Sequence, residues 1–249
     1  MSNDAGISVQ EEAAESDLRP SFHHALDQVR AEIAKLGATV TENIPRATEI
    51  LLSQDLEGAE YMILADDAID AASIDLEERC YSLLALQAPV ASDLRQVVAA
   101  LRIIAEVERS ADLTTNLCKA ARRIYGHDLD PKLRGIIQKM GDQATQLFKE
   151  ATESYLSSDA ARAAAIDDMD GYLDGLQREF VQAIFESHQM TKIDLQVAVQ
   201  LAIVARFYER IGDHAVNIGE RTQFVVTGWV REQMGAVRHA TRQAASDID

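Results

Sequence analysis

Apolar residues recur along most of the chain at the spacing of an α-helix. Two runs are especially regular: Leu94, Val97, Val98, Leu101 and Ile104, and then Leu133, Ile136, Ile137 and Met140. Residues spaced by three and four positions lie on one face of a helix, which can then pack against a core. Sustained period-two alternation, the mark of a half-buried strand, is missing. The pattern therefore predicts an all-α protein.

Short polar breaks divide this pattern into six long helices. Their predicted ranges are 21–52, 56–87, 92–125, 131–156, 160–187 and 192–227. Three serines near the breaks, Ser53, Ser92 and Ser158, are of the type that caps a helix N-terminus. Short loops of this kind place consecutive helices antiparallel to each other.

The chain also contains an internal repeat. KLG at 35–37 recurs as KMG at 139–141, an offset of 104 residues, whereas the last helix of each half aligns at an offset of 101. We expect the three-residue difference to lie in the loop before that last helix. The repeat predicts two tandem three-helix bundles. The predicted units are a disordered tail over 1–18, a first bundle over 19–127, a second bundle over 128–228 and a C-terminal tail over 229–249.

Paired acids mark the same two helices in each half. Two DxxxD motifs and two ExxxD motifs contain Asp66, Asp70, Glu108, Asp112, Asp170, Asp174, Glu209 and Asp213. Acids four residues apart lie on one face of a helix, where they repel each other unless a cation lies between them. The midpoint between the two motifs of each half falls inside a predicted loop. Folding each hairpin at that loop therefore brings its DxxxD level with its ExxxD.

Four carboxylates at one level form an all-oxygen ligand set, which suits hard cations such as Mg²⁺, Mn²⁺, Ca²⁺ or iron. Arg109 and Arg210 lie beside the acids and can neutralise a neighbouring carboxylate. Two alternatives stay open: a solvated acidic face, and internal salt bridges such as Asp66 with Arg109. His214 points about 100° away from Asp213 around the helix, so we expect it to be exposed or to face a partner.

Composition narrows the range of functions. The chain has 249 residues, 47% of them apolar, and a formal net charge of −17. This charge argues against nucleic-acid binding, which needs a basic surface. No signal peptide and no transmembrane stretch are recognisable, so we expect a cytoplasmic protein without membrane insertion. Cys80 and Cys118 have no metal-site spacing and are expected to be core residues.

The segments PVASDLRQV at 89–97, VERSAD at 107–112 and YERIGDHAVNIGER at 208–221 resemble the PhoU family of phosphate-specific transport regulators. The resemblance extends over residues 20–227. It implies a six-helix fold and metal ions on the eight acids named above, with iron, Mn, Mg and Zn all open. The first copy departs from the second, since Ser110 and Ala111 replace Ile211 and Gly212.

The resemblance also implies a function. PhoU proteins are negative regulators of the phosphate-starvation response, often homodimeric, and are thought to link the phosphate ABC transporter to a sensor histidine kinase. We therefore expect a metal-binding adaptor that is not an enzyme. The alternatives are a metal-dependent enzyme or metal-storage bundle, and an accessory protein of a different phosphate transporter.

Overall fold

A computed structural model describes residues 5–190 and 192–229, with side chains described from residue 20 onward. Six α-helices and no strand occur in these residues. The helices are α1 (Ala5–Ser53), α2 (Leu56–Gln87), α3 (Ala91–Arg123), α4 (Pro131–Ser157), α5 (Ala160–Gln189) and α6 (Leu195–Thr227). The all-α prediction is confirmed. Apart from the start of α1, every predicted boundary lies within three residues of the observed one.

The first helix begins earlier than the sequence analysis predicted. α1 starts at Ala5, so the described part of the expected disordered tail over 1–18 is helical and that expectation is corrected there. Residues 5–18 are rich in Ala and Glu and contain no Pro, a composition with good helix propensity. The predicted C-terminal tail lies outside the described residues from position 230 onward. The predicted unit boundaries stay a prediction.

Aspartates, and not the predicted serines, cap the N-termini of α2, α4, α5 and α6. Asp55 accepts a hydrogen bond from the backbone N–H of Gly58 at the start of α2, and Asp159 accepts from Ala161 at the start of α5. Ser53 instead donates to the carbonyl of Glu49 at the end of α1. Ser53 and Ser158 lie two positions and one position before the capping residues Asp55 and Asp159, whereas Ser92 lies inside α3. A cap must lie directly before the first helical residue.

The helices form two three-helix units packed side by side. α1, α2 and α3 contact one another, as do α4, α5 and α6. The units join where α1 packs on α4 and α3 packs on α6. Among the described residues, the outer helices α2 and α5 contact only their own unit to any extent. The row α2–α3–α6–α5 therefore brings the acid-bearing helices together, and α1 and α4 lie behind it.

A single apolar core runs through both units. Side chains from all six helices form one continuous buried cluster. Phe148 on α4, Phe180 on α5 and Tyr208 on α6 are among its largest members, and Cys80 and Cys118 are buried in it, as expected. Burying one aromatic or Leu side chain stabilises a fold by about 1.5–3 kcal/mol. Among the described helices, none combines the length and the apolarity that a membrane span needs.

The three-residue difference between the repeats is not in the loop. The α5–α6 connection spans 190–194 and is longer than the α2–α3 connection over 88–90. The extra residues of the first repeat are helical, because α3 starts before Asp93 whereas the equivalent Asp194 is the N-cap of α6. A side-chain cap at Asp194 fixes where α6 begins. The cap residue of α3 is Val90, which makes no side-chain cap bond.

The repeated glycines allow α1 and α4 to approach closely. A Cβ atom on Gly141 would lie 2.4 Å from Oγ1 of Thr48, and one on Gly37 would lie 2.6 Å from Cγ2 of Thr152. These two contacts are related by the repeat, since each glycine faces the threonine of the other half. Thr48 also lies 2.8 Å from the hydroxyl of buried Tyr208. The KLG and KMG motifs thus mark the joint between the repeats.

Substituting Gly141 tests this joint. We expect Gly141→Ala to lower the free energy of unfolding by about 1–2 kcal/mol, because Thr48 is held between helices and cannot move aside freely. Gly135→Ala on the same helix is the control, since a Cβ atom there meets nothing within 4 Å. This control is expected to gain up to about 1 kcal/mol from helix propensity. Equal shifts of the two urea-unfolding midpoints would contradict the close contact.

Candidate metal centre

The first acidic cluster lies where α2 packs on α3. It comprises Asp66 and Asp70 from α2, and Glu108 and Asp112 from α3. Burial raises the pKa of Asp66, and the charges of Asp70 and Asp112 raise it further. Burial also raises the pKa of Glu108, with added contributions from Asp112 and Asp70. The four carboxylates are therefore close enough to affect one another's ionisation.

The second acidic cluster lies where α5 packs on α6. It comprises Asp170 and Asp174 from α5, and Glu209 and Asp213 from α6. Burial, followed by the charges of Asp174 and Asp213, raises the pKa of Asp170 to about 6. The pKa values of Glu209 and Asp213 are raised as well, with burial as the main cause in both. The second cluster is thus a site where four acids share one partly buried space.

These couplings confirm the register predicted from the sequence. In each hairpin the DxxxD motif of the outer helix lies level with the ExxxD motif of the inner helix. The result follows from helix length alone, because both motifs of a hairpin are equally far from its turn. Each cluster also links an outer helix to the α3–α6 pair, which is the joint between the two units.

Neither cluster is a closed cage in this structure. Within the described residues, no three His, Cys, Asp or Glu side chains converge at the distances that would enclose a metal ion. Four carboxylates repel one another when no cation separates them. The side chains are near neighbours, and small rotamer changes are needed before several of them can share one ion.

The second cluster contains an observation that fits a cation. Asp170 Oδ1 and Glu209 Oε2 are buried and accept no hydrogen bond from any described residue. Buried carboxylate oxygens without a partner are unfavourable and are usually satisfied by a donor, a water molecule or a metal ion. An all-oxygen set of this type suits Mg²⁺, Mn²⁺ or iron. The residues present therefore fit a hard cation.

The first cluster opens onto a surface groove. This groove has a volume of about 390 Å³ and is lined by Asp70, Glu77, Glu108 and Arg109, among others. The groove makes the first cluster accessible from solvent. Thr115 lies near Asp66 and offsets part of the rise in the pKa of this carboxyl. The two clusters thus contain the same types of acidic residue and differ in the residues around them.

The arginines beside the motifs are less involved than the sequence analysis allowed. Arg109 and Arg210 are exposed, and in the described residues no ion pair joins Arg109 to Asp66 or Asp70. Burial raises the pKa values of Glu108 and Asp213, and the charges of Arg109 and Arg210 offset only part of this rise. The arginine that does pair with an acid of the clusters is Arg206, which contacts Glu209. Its signal in the sequence is the i, i+3 spacing.

His214 was placed wrongly by the sequence analysis. It is only 7% exposed, and its Nδ1 lies 2.6 Å from Glu106 Oε2 on α3. Asn217 donates to the same carboxylate oxygen. Hydrogen bonds from His214 and Asn217 outweigh the effect of burial and lower the pKa of Glu106. The direction of His214 around α6 was predicted correctly, but this side of α6 faces α3 and not solvent.

The structure defines a class of protein: two tandem three-helix bundles, each with a pair of acidic motifs at one level. A family model described as "PhoU domain" matches the chain twice, over residues 33–121 and 137–222. The two matches cover more than half of the chain, and each lies within one of the two units. The chain therefore belongs to the PhoU family.

Similar proteins agree with this assignment. The phosphate-specific transport system accessory protein PhoU homolog 2 of Mycobacterium tuberculosis is 34% identical over 212 residues, which are 85% of this chain and 99% of that protein. The PhoU homolog of Clostridium acetobutylicum is 28% identical over 214 residues, 84% of this chain and 96% of that protein. Both similarities extend over both repeats.

Solved structures show the same fold. The phosphate transport system regulatory protein PhoU from Streptococcus pneumoniae superposes with a TM-score of 0.77 at 25% identity, covering 84% of this chain and 98% of that one. PhoU from Pseudomonas aeruginosa gives a TM-score of 0.78 at 24% identity, covering 84% of this chain and all of that one. The identity to the second structure is low, so it supports the fold alone.

Proposed function

We propose that this protein is an accessory regulator of phosphate transport. The observation that carries the proposal is the double match to the PhoU domain, one match in each unit. The match to this chain covers nearly the whole length of two relatives, and both are named accessory proteins of the phosphate-specific transport system. The full-length correspondence supports the same role for both units together.

The finer proposal is that the protein acts in the cytoplasm as a negative regulator of the phosphate-starvation response. It couples the phosphate ABC transporter to a sensor histidine kinase and acts as a homodimer without catalytic activity of its own. A net charge of −17 supports docking to basic protein surfaces and disfavours nucleic acids. The outer helices α2 and α5 each have a long exposed face that is available for such docking.

A hard cation at each acidic cluster is part of the proposal. The residues that would hold it are Asp66, Asp70, Glu108 and Asp112 in the first unit, and Asp170, Asp174, Glu209 and Asp213 in the second. When bound, the cation would supply the positive charge that offsets the repulsion among these carboxylates. The acids of each cluster then hold an outer helix to the α3–α6 pair. Iron, Mn, Mg and Zn are all compatible with this ligand set.

Deleting the gene tests the regulatory role. In phosphate-rich medium we expect the deletion strain to express a phosphate-starvation reporter, such as alkaline phosphatase, at the level normally seen under starvation. The wild-type gene is expected to restore repression. A reporter that stays repressed in the deletion strain would contradict the proposal. Turnover of a phosphate ester by the purified protein would favour the metal-dependent enzyme instead.

Metal content tests the clusters separately. We expect alanine at all four acids of one cluster to remove the metal bound there, measured by elemental analysis of the purified protein. The control is Asp67→Ala with Asp168→Ala, which removes two exposed acids on the same helices outside the clusters. Equal metal content in the cluster variant and the control would rule out these residues as ligands.

A further inference from the structure

Gly212 marks a structural difference between the two acidic clusters. It is buried on α6 between Glu209 and Asp213, and a Cβ atom built on it would lie 2.3 Å from Asp170 Oδ1. The same Cβ atom would lie 2.8 Å from Leu173 Cδ2. The carboxylate of Asp170 therefore occupies the space that the missing side chain leaves. Any larger residue at 212 would push this carboxylate away from α6.

This placement leaves the carboxylate without a protein partner. Asp170 Oδ1 and Glu209 Oε2 are both buried and unpartnered among the described residues. Their lone pairs are therefore available, and the desolvation that a ligand oxygen must undergo has already taken place in the fold. The other oxygen of Glu209 contacts Arg206, but these two oxygens have no competing bond. Donor atoms of this kind lose less on binding than donors that must first be released.

The first cluster lacks both features. Position 111 is equivalent to Gly212 and holds Ala111, which is fully buried. Position 115 is equivalent to Val216 and holds Thr115, whose side chain is placed to interact with Asp66, the counterpart of Asp170. Val216 has no hydroxyl group, so Asp170 lacks this interaction. In the described residues, no carboxylate oxygen of the first cluster is both buried and unpartnered.

We propose that the two clusters bind cations with unequal affinity, and that Gly212 with Val216 makes the second cluster the tighter one. Ala111 and Thr115 make the first cluster the weaker one. The inference rests on the proposed metal binding and adds how that binding responds to the supply of cations. The second cluster stays loaded when cations are scarce, whereas the first exchanges its cation with the surroundings through the solvent-facing groove. A change in metal availability then alters the cation occupancy of the first unit only.

Titration of the full-length, metal-stripped protein with Mn²⁺ tests this inequality by calorimetry. Wild type is expected to show two classes of site that differ roughly tenfold or more in affinity. Gly212→Ala should weaken the tight class by a similar factor and leave the weak class unchanged. Thr115→Val and Ala111→Gly should each strengthen the weak class. Thr115→Val keeps the shape of the side chain and Ala111→Gly removes a methyl group, so neither crowds the core. They therefore test the inequality even where Gly212→Ala impairs folding.

The outcomes separate this inference from the proposed function. A single class of equal sites, or a weak class that neither first-cluster variant strengthens, would overturn the inequality and leave metal binding in place. Wild-type protein that binds no Mn²⁺ would overturn both. A tight class that is lost when Asp66 and Asp70 are changed, and not when Asp170 and Asp174 are changed, would reverse the assignment.

Discussion

Replacing Glu106 with Ala is expected to lower the free energy of unfolding by about 2–4 kcal/mol, the cost of leaving buried hydrogen-bonding groups without a partner. Glu106 accepts from both His214 and Asn217 across the α3–α6 joint. His214 already has an unpartnered buried Nε2, so the variant would leave it with no hydrogen bond from the described residues. Thermal unfolding should show a decrease in Tm of about 5–15 °C.

The repeat supplies a control for this prediction. Glu106 and His214 correspond to Phe207 and Leu113 in the other half, and both of these are apolar. The double variant Glu106→Phe with His214→Leu removes both hydrogen-bonding partners together. Replacing a buried pair by apolar residues is often neutral or stabilising, so this variant should retain most of the wild-type Tm. A double variant no more stable than Glu106→Ala would show that the polar contact is not what Glu106 contributes.

The contribution of Glu106 to the stability of the fold should also depend on pH. The folded protein holds the pKa of Glu106 below its ordinary value, because His214 and Asn217 bond to the ionised form. A depressed pKa stabilises the fold above the unfolded value, near 4.5, and this stabilisation is lost as the pH falls through the folded value. The difference in Tm between wild type and Glu106→Ala should therefore narrow below about pH 4.5.

Features set by local periodicity were predictable from the sequence. Helix boundaries and the level of the acidic motifs depend on residue spacing within one hairpin, so α2, α3, α5 and α6 were located within three residues. The pairing of DxxxD with ExxxD was likewise fixed by equal distances from a turn. The repeat added a second copy of the same argument. None of these inferences needed information about which helices pack together across the units.

Features that depend on contacts between distant segments were not predictable. His214 meets Glu106 across 108 positions, and Thr48 meets Tyr208 across 160. The sequence showed KLG and KMG as a repeat, but not that Gly37 and Gly141 face threonines of the opposite unit. The surroundings of Gly212 were hidden for the same reason. Its difference from Ala111 was visible in the sequence, whereas the carboxylate placed against it was not.

Asp170→Asn is expected to stabilise the metal-free protein at pH 7.5, although it removes a proposed ligand. Burial and the neighbouring acids raise the pKa of Asp170 to about 6, so its ionised form is disfavoured in the folded state. A shift of this size corresponds to about 3 kcal/mol, which solvent screening of this partly exposed group reduces to roughly 1–2 kcal/mol. The Tm of the metal-free variant should therefore rise by about 3–6 °C.

The size of this stabilisation depends on pH, and its sign depends on whether metal is bound. A raised carboxyl pKa destabilises the fold only where the unfolded chain is ionised, so the penalty is absent below about pH 3.8 and complete above about pH 6. The advantage of Asp170→Asn should therefore shrink between pH 7 and pH 5. Saturating Mn²⁺ should reverse the order, since a ligand at a hundred times its Kd stabilises the fold by about 2.7 kcal/mol and would favour wild type.

A neighbouring acid shows whether the effect belongs to the cluster. Asp168→Asn, on the exposed side of the same helix, removes an equal charge outside the second cluster and should leave the Tm nearly unchanged with or without Mn²⁺. A decrease in Tm for metal-free Asp170→Asn would mean that the ionised carboxylate is already stabilised by the protein. Wild-type stability would then not depend on a cation at this position. We expect the opposite result: the metal-free variant has a higher Tm than wild type, and Mn²⁺ reverses this order. The reason is that a ligand site holds together negative charges whose repulsion destabilises the metal-free fold.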